Sequence, residues 1–222
     1  MSATNKAALD PLAAVLARSD ELHETMLALL DDAGFDPSPR CQSSLGMCSV
    51  SLEHGLSLRI LISARCPTSA VGLMRLQFEA LTRAMWLLYA ASELEVAKLT
   101  AGLTVDSEQA AKNLPTVNAM IDDIGKCVGS TAPAAAHQML ANFKDVQLKA
   151  LNSFVHGGIH SLRRHSDGFP LSLILDIVRS SNGLSTMAAM ALANLSGDES
   201  IAKSMSRIQR EFADCLPQLL GQ

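Results

Sequence analysis

The chain has 222 residues, of which 48% are hydrophobic, 18% charged and 4% aromatic, with a formal net charge of −4. A chain this long and apolar can bury a substantial core, and its bias toward alanine, leucine, serine and methionine favours helix over sheet. The acidic balance gives no global attraction to nucleic acid, so a polyanion site has to be a local patch. Five widely spaced cysteines (Cys41, Cys48, Cys66, Cys127, Cys215) form no Cys-x-x-Cys pair, and the opening MSATNKAALDPL lacks the apolar run of a signal peptide. The expectation is a cytoplasmic protein with reduced thiols. No stretch is expected to span a membrane: the nearest, 170–195, is interrupted by Asp176 and Arg179.

Residues 1–8 are expected to fray. Asp10-Pro11 then reads as an N-cap with proline at the first helical position. The helix it opens carries Leu12, Val15, Leu16, Leu22, Met26, Leu29 and Leu30 toward the core and ends near Asp32. After the loop at Gly34 and FDPSPR, a second helix takes 41–64 and stops before Cys66-Pro67. Cys41 and Cys48, seven apart on one face of it, read as small core residues. Thr68 or Ser69 is expected to cap a third helix reaching Ala91. It has one apolar set at Val71, Met74, Phe78, Leu81, Met85 and Leu88, and another at Leu73, Leu76, Ala80, Ala84 and Leu87. Apolar faces on two sides predict a central position in the bundle.

Ser92 with Glu95 makes a capping box for a short helix ending near Gly102. A weaker helix spans 106–113, and Pro115 breaks or restarts it toward Val128. Past the connector 129–133, a long helix runs to His156 and the pair Gly157-Gly158. The turn 166–170 leads into an apolar helix that either continues to Leu195 or bends at Asn182-Gly183, and Gly197-Asp198 starts the last helix. No segment alternates with period two. The sequence therefore predicts an all-α bundle of seven to nine helices in one domain over 1–222.

Two constellations stand out. On the third helix Arg75, Glu79 and Arg83 are four apart, beside both apolar faces. They are either a buried, partnered ion group, of the kind that gathers at functional sites, or a solvated surface stripe. The other is Lys149–His160, KALNSFVHGGIH. There the spacing predicts one polar stripe, Asp145–Lys149–Asn152–His156, opposite an apolar one. Gly157 suits the left-handed position past a helix end, which leaves His156 in the last turn, where the helix dipole favours a cation.

His160, Arg163, Arg164 and His165 follow. One reading of this exit is an anion or phosphodiester site pairing a histidine for proton transfer with a cation for phosphate. Another is a capping histidine with solvated arginines. A metal site is disfavoured because the glycines break the helix that would align the histidines, and no cysteine or carboxylate cluster completes a set. No phosphate loop, nucleophile elbow or dinucleotide fingerprint is present, and no cofactor is expected.

The run Leu151-Asn152-Ser153-Phe154-Val155-His156 resembles the signature of the HEPN superfamily, helical-bundle proteins of prokaryotic defence and toxin–antitoxin systems. That signature is an arginine, a polar residue, three variable residues and a histidine. Asn152 and His156 match it, and Leu151 occupies the arginine's place. The helix bearing Arg75 and Glu79, followed by a His-Gly helix end, is similar to uncharacterised bacterial families related to that superfamily.

The resemblance implies a metal-independent ribonuclease with His156 as acid/base and Asn152 orienting it. Arg75, Glu79, Lys149, His160, Arg163 and Arg164 would serve the phosphate side. Leu151→Arg would then restore the motif's cation. The alternative is a non-catalytic helical module binding a nucleotide, small ligand or partner protein. The resemblance and the apolar stretch 170–195 together predict a homodimer.

Overall fold

The structure is a computed structural model and describes residues 10–218, so the expected fraying of 1–8 lies outside the described residues. All described elements are helical, and the nearest thing to sheet is one isolated bridge between Val128 and Ala132. In chain order the helices are α1 (Pro11–Leu30), α2 (Pro39–Ser63), α3 (Pro67–Tyr89), α4 (Glu93–Thr100), α5 (Val105–Ala111), α6 (Val117–Lys126), α7 (Ala134–Phe143), α8 (Lys149–Val155), α9 (Ile159–Asp167), α10 (Leu171–Leu195) and α11 (Glu199–Glu211). A π turn, Lys144–Leu148, joins α7 to α8 without a break, so the eleven segments make ten rods, and a 3-10 turn, Ala213–Cys215, follows α11.

Local chemistry sets most of the boundaries. Asp10 accepts from the Leu12 N–H ahead of Pro11, and Ser38 caps α2 ahead of Pro39. Ser92 and Glu95 close the capping box of α4, and Asp198 caps α11. At α3 the expected Thr68 or Ser69 cap is replaced by Cys66, because Pro67 takes the first helical position. α10 runs straight through Asn182-Gly183, since the Asn182 side chain is held by Ser19 and the Cys215 carbonyl rather than by its own backbone. One helix went unpredicted, α9, which takes the count past nine.

At the centre of the molecule α2, α3 and α10 pack on one another, α3 most extensively on α2. Phe78, Leu81 and Trp86 are fully buried and Met85 nearly so, and Phe78 stacks on Phe143 of α7 with centroids 4.5 Å apart. α1 and α11 cover α10, while α6 and α8 cover α3. A buried polar knot ties the three long helices. Gln77 of α3 donates to the Ser181 carbonyl and Ser185 Oγ of α10, Ser181 Oγ donates back to Gln77 Oε1, and Ser51 of α2 donates to the Gln77 carbonyl. Gly55 of α2 leaves the room: a Cβ there would come within 2.7 Å of both Gln77 Nε2 and Ser185 Oγ.

α2 corrects the expectation that no stretch could span a membrane. By length and apolar content it is sufficient, because Glu53 and Arg59 are the only formal charges between Cys41 and Ile62. Here Leu52, Leu58 and Ile62 are buried in the bundle core. α10 alters the ground for a dimer through 170–195, because its apolar residues from Ile177 to Ala193 are largely buried within the chain.

Candidate functional site

Arg75, Glu79 and Arg83 lie on the side of α3 that receives α8. Arg75 Nε donates to Asn152 Oδ1 at 2.7 Å, and its Nη1 pairs with Glu79 Oε2 at 2.8 Å. Glu79 is shared, its other oxygen lying 3.4 Å from Arg83 Nη2. The Arg75 side chain is only 16% exposed, so of the two sequence readings the partnered one describes the geometry. Arg83 Nε is buried with no acceptor among the described residues. Two guanidiniums against one carboxylate leave this seam with an excess positive charge and an unanswered donor.

α8 brings the rest of the predicted stripe. Asn152 sits in the seam, Lys149 and His156 lie exposed one turn to either side, and the His156 N–H closes the helix on the Asn152 carbonyl. Asp145 does not belong to the stripe. The π turn inserts about one residue's worth of phase between it and Lys149, and Asp145 lies 3.7 Å from Lys144 instead.

Leu151 also departs from expectation. It is 3% exposed and points away from the stripe into an apolar groove with Met74 and Phe154. An arginine at 151 would enter that apolar setting rather than the polar stripe.

The helix exit is a Schellman turn. Gly157 has φ +65°, and the Gly158 N–H donates to the Ser153 carbonyl at 2.7 Å. Ser153 Oγ then accepts from the His160 N–H and thereby holds the start of α9. A Cβ on Gly158 would fall 2.5 Å from that oxygen. The basic run after the glycines is therefore helical and divides by face. His160 and Arg164, four apart, line the apolar groove, whereas Arg163 pairs with Asp167 on the exposed side. The candidate residues thus fall into two sites on opposite sides of α8: a polar seam (Arg75, Glu79, Asn152, with Lys149 and His156 beside it) and a groove edge (His160, Arg164).

Sequence reasoning missed the groove's own contributors, among them Phe169, Leu173 and the hydrogen-bonded pair Gln147–Ser180. Only the apolar spacing of 146, 150 and 154 hinted at them. Among the described residues no three His, Cys, Asp or Glu side chains gather to hold a metal. All five cysteines are free, and burial pushes the Cys48 thiol up to about 12.

Fold and seam together define a single-chain helical bundle with a part-buried ion group between two helices. The chain belongs to the family of unknown function DUF6988, whose profile matches residues 48–218. No curated protein and no solved structure matches it.

Proposed function

We propose that the chain is a HEPN-like, non-catalytic helical binding module whose polar seam receives the phosphate of RNA or of a nucleotide. The observation that carries this reading is the state of the motif positions. Leu151 is buried in the core, and Asn152 has its carbonyl oxygen engaged by Arg75. The cation that the motif itself supplies to a transition state is therefore absent from position 151, a stabilisation worth about 10²–10³ in rate. Recognition needs less. The excess charge of Arg75 and Arg83 over Glu79, with Lys149 and His156 exposed alongside, attracts an anion.

The test is fluorescence anisotropy with short labelled RNA and with nucleotides. Arg75→Ala and His156→Ala are each expected to weaken binding about tenfold or more, and added salt to weaken it further. Unchanged binding in both variants would leave the seam a structural ion group.

A ribonuclease reading rests on one distance. Arg75 Nε is 2.7 Å from Asn152 Oδ1, which puts a cation one turn from His156. Chelator-treated protein would then cut RNA to 2′,3′-cyclic phosphate ends and His156→Ala would not. RNA left whole across pH 5–8 removes this reading.

On the same resemblance we place the protein in prokaryotic defence or toxin–antitoxin biology, and on its free, widely spaced cysteines in the cytoplasm, acting off the membrane. We assign its homodimer contact to the α1–α2 face. Leu27, Leu56 and Ile60 are exposed there beside Asp20 and Glu24, while Arg59 beneath them is buried against Asp20, an apolar centre with a polar rim that suits a two-fold contact.

A further inference from the structure

The apolar groove on the far side of α8 has features the seam does not explain. Its volume is about 350 Å³, within the range of small-molecule sites. Val71, Met74 and Leu151 are buried at its base, and Phe154, Phe169 and Leu173 wall it. Its charged groups are few. Arg164 is half-buried, and its guanidinium makes no ion pair or hydrogen bond among the described residues; His160, one turn before it, has no side-chain partner either. The neighbouring Arg163 does find a carboxylate, on the exposed side of the same helix. Among the described residues Asp176 is the one acid lining the groove; it is mostly exposed and lies 3.9 Å from Arg179 on its own helix. A half-buried arginine on the edge of an apolar hollow (Arg164 also borders the neighbouring one beside Cys66 and Phe169), its guanidinium without an acceptor among the described residues, is half of a charge-assisted pair.

The groove is also elongated. Val146, Gln147 and Ser180 line both it and a second apolar hollow of about 190 Å³ that runs on past Phe143, Leu184 and Met187 toward Pro217. The two are divided where Gln147 Nε2 donates to Ser180 Oγ at 3.2 Å. Gln147 lies in the π turn, a distortion of the kind that recurs at functional sites. An elongated apolar path with Arg164 and His160 at one edge matches a linear chain with one anionic end better than a compact ring.

We propose that this groove binds a straight-chain carboxylate, with its head on Arg164 and His160 and its tail along α8 and α10. The site is separate from the phosphate seam, because Ala150, Leu151 and Phe154 face the groove while Lys149, Asn152 and His156 lie on the opposite side of the helix.

Calorimetric titration of the full chain with sodium decanoate, below its micelle concentration, tests this against decanol, decylamine and acetate. Saturable binding of one decanoate per chain is expected. Affinity should rise about fourfold per methylene from hexanoate to decanoate, and decanol should bind about tenfold more weakly. Arg164→Gln, a change near the surface, should bring decanoate down to the affinity of decanol and leave decanol itself unchanged. His160→Gln should give a smaller loss in the same sense. Ala150→Trp should fill the groove and block both ligands, with circular dichroism and melting checking that the variants fold. The proposal is overturned by decanol or decylamine binding as tightly as decanoate, by an Arg164→Gln variant that binds decanoate normally, or by uptake that never saturates.

Discussion

Leu151 illustrates how one side chain decides what a motif can do. By its place in the motif, an arginine there restores a missing cation. With the position 3% exposed between α8 and α3, Leu151→Arg instead places an unpaired charge in the core, at a cost of about 3–5 kcal/mol. Denaturant unfolding should read that loss, and a variant as stable as the parent would mean the arginine reaches solvent through the groove that Leu151 lines. Elsewhere, His23 gives the fold a pH dependence. Burial, reinforced by the nearby Arg59 guanidinium, holds its imidazole below the usual histidine range, with Asp20 and Glu24 pulling weakly the other way. The unfolded chain therefore takes up a proton near pH 6.5 that the folded chain resists, and stability falls as the pH drops through that region. Melting temperature should decline between pH 7 and pH 5 and decline less in His23→Gln. Equal slopes would assign the acid sensitivity to other groups. Of the seam, spacing alone located Arg75 and Glu79, and the motif located Asn152. Their meeting across 77 positions of sequence depended on how α8 lands on α3, which no local pattern encodes.

At the scale of elements, the Gln77 knot and the Phe78 stack carry separable predictions. Gly55→Ala must push Gln77 or Ser185 aside and should cost about 1–3 kcal/mol through overpacking. Phe78→Ala removes a ring packed on Phe143 and should cost about 3–5 kcal/mol. Thermal or chemical unfolding measures both, and a neutral Gly55→Ala would mean the three helices slide freely at that crossing. Most of the helices were legible in advance because their ends are chemically marked: Asp10-Pro11, Ser92 with Glu95, and Asp198 each satisfy N–H groups that a helix start leaves open. α9 was not legible, since Gly157-Gly158 reads as a terminus while the group that holds the next helix, Ser153 Oγ, lies before the break. Nor was the π turn, because Lys144–Leu148 carries no residue that an ordinary α-helix would refuse.

For the whole molecule, the proposed dimer makes a direct prediction. Light scattering at micromolar concentration should give twice the 23.6 kDa chain mass, and Ile60→Glu should return it to the monomer. A parent protein that is already monomeric would remove the α1–α2 contact. Intramolecular order extends further than the family match at 48–218, which begins inside α2. α1 lies ahead of that match, yet Leu22 and Met26 are sealed in the core. Arg18 reaches across to the other end of the chain, stacking 3.8 Å from the Phe212 ring and donating to the Glu211 carbonyl. The two ends thus hold each other shut. In amide hydrogen exchange, α1 and α11 should behave as one opening unit, losing protection together and by the same factor when Arg18 is replaced by alanine, rather than fraying independently from either terminus.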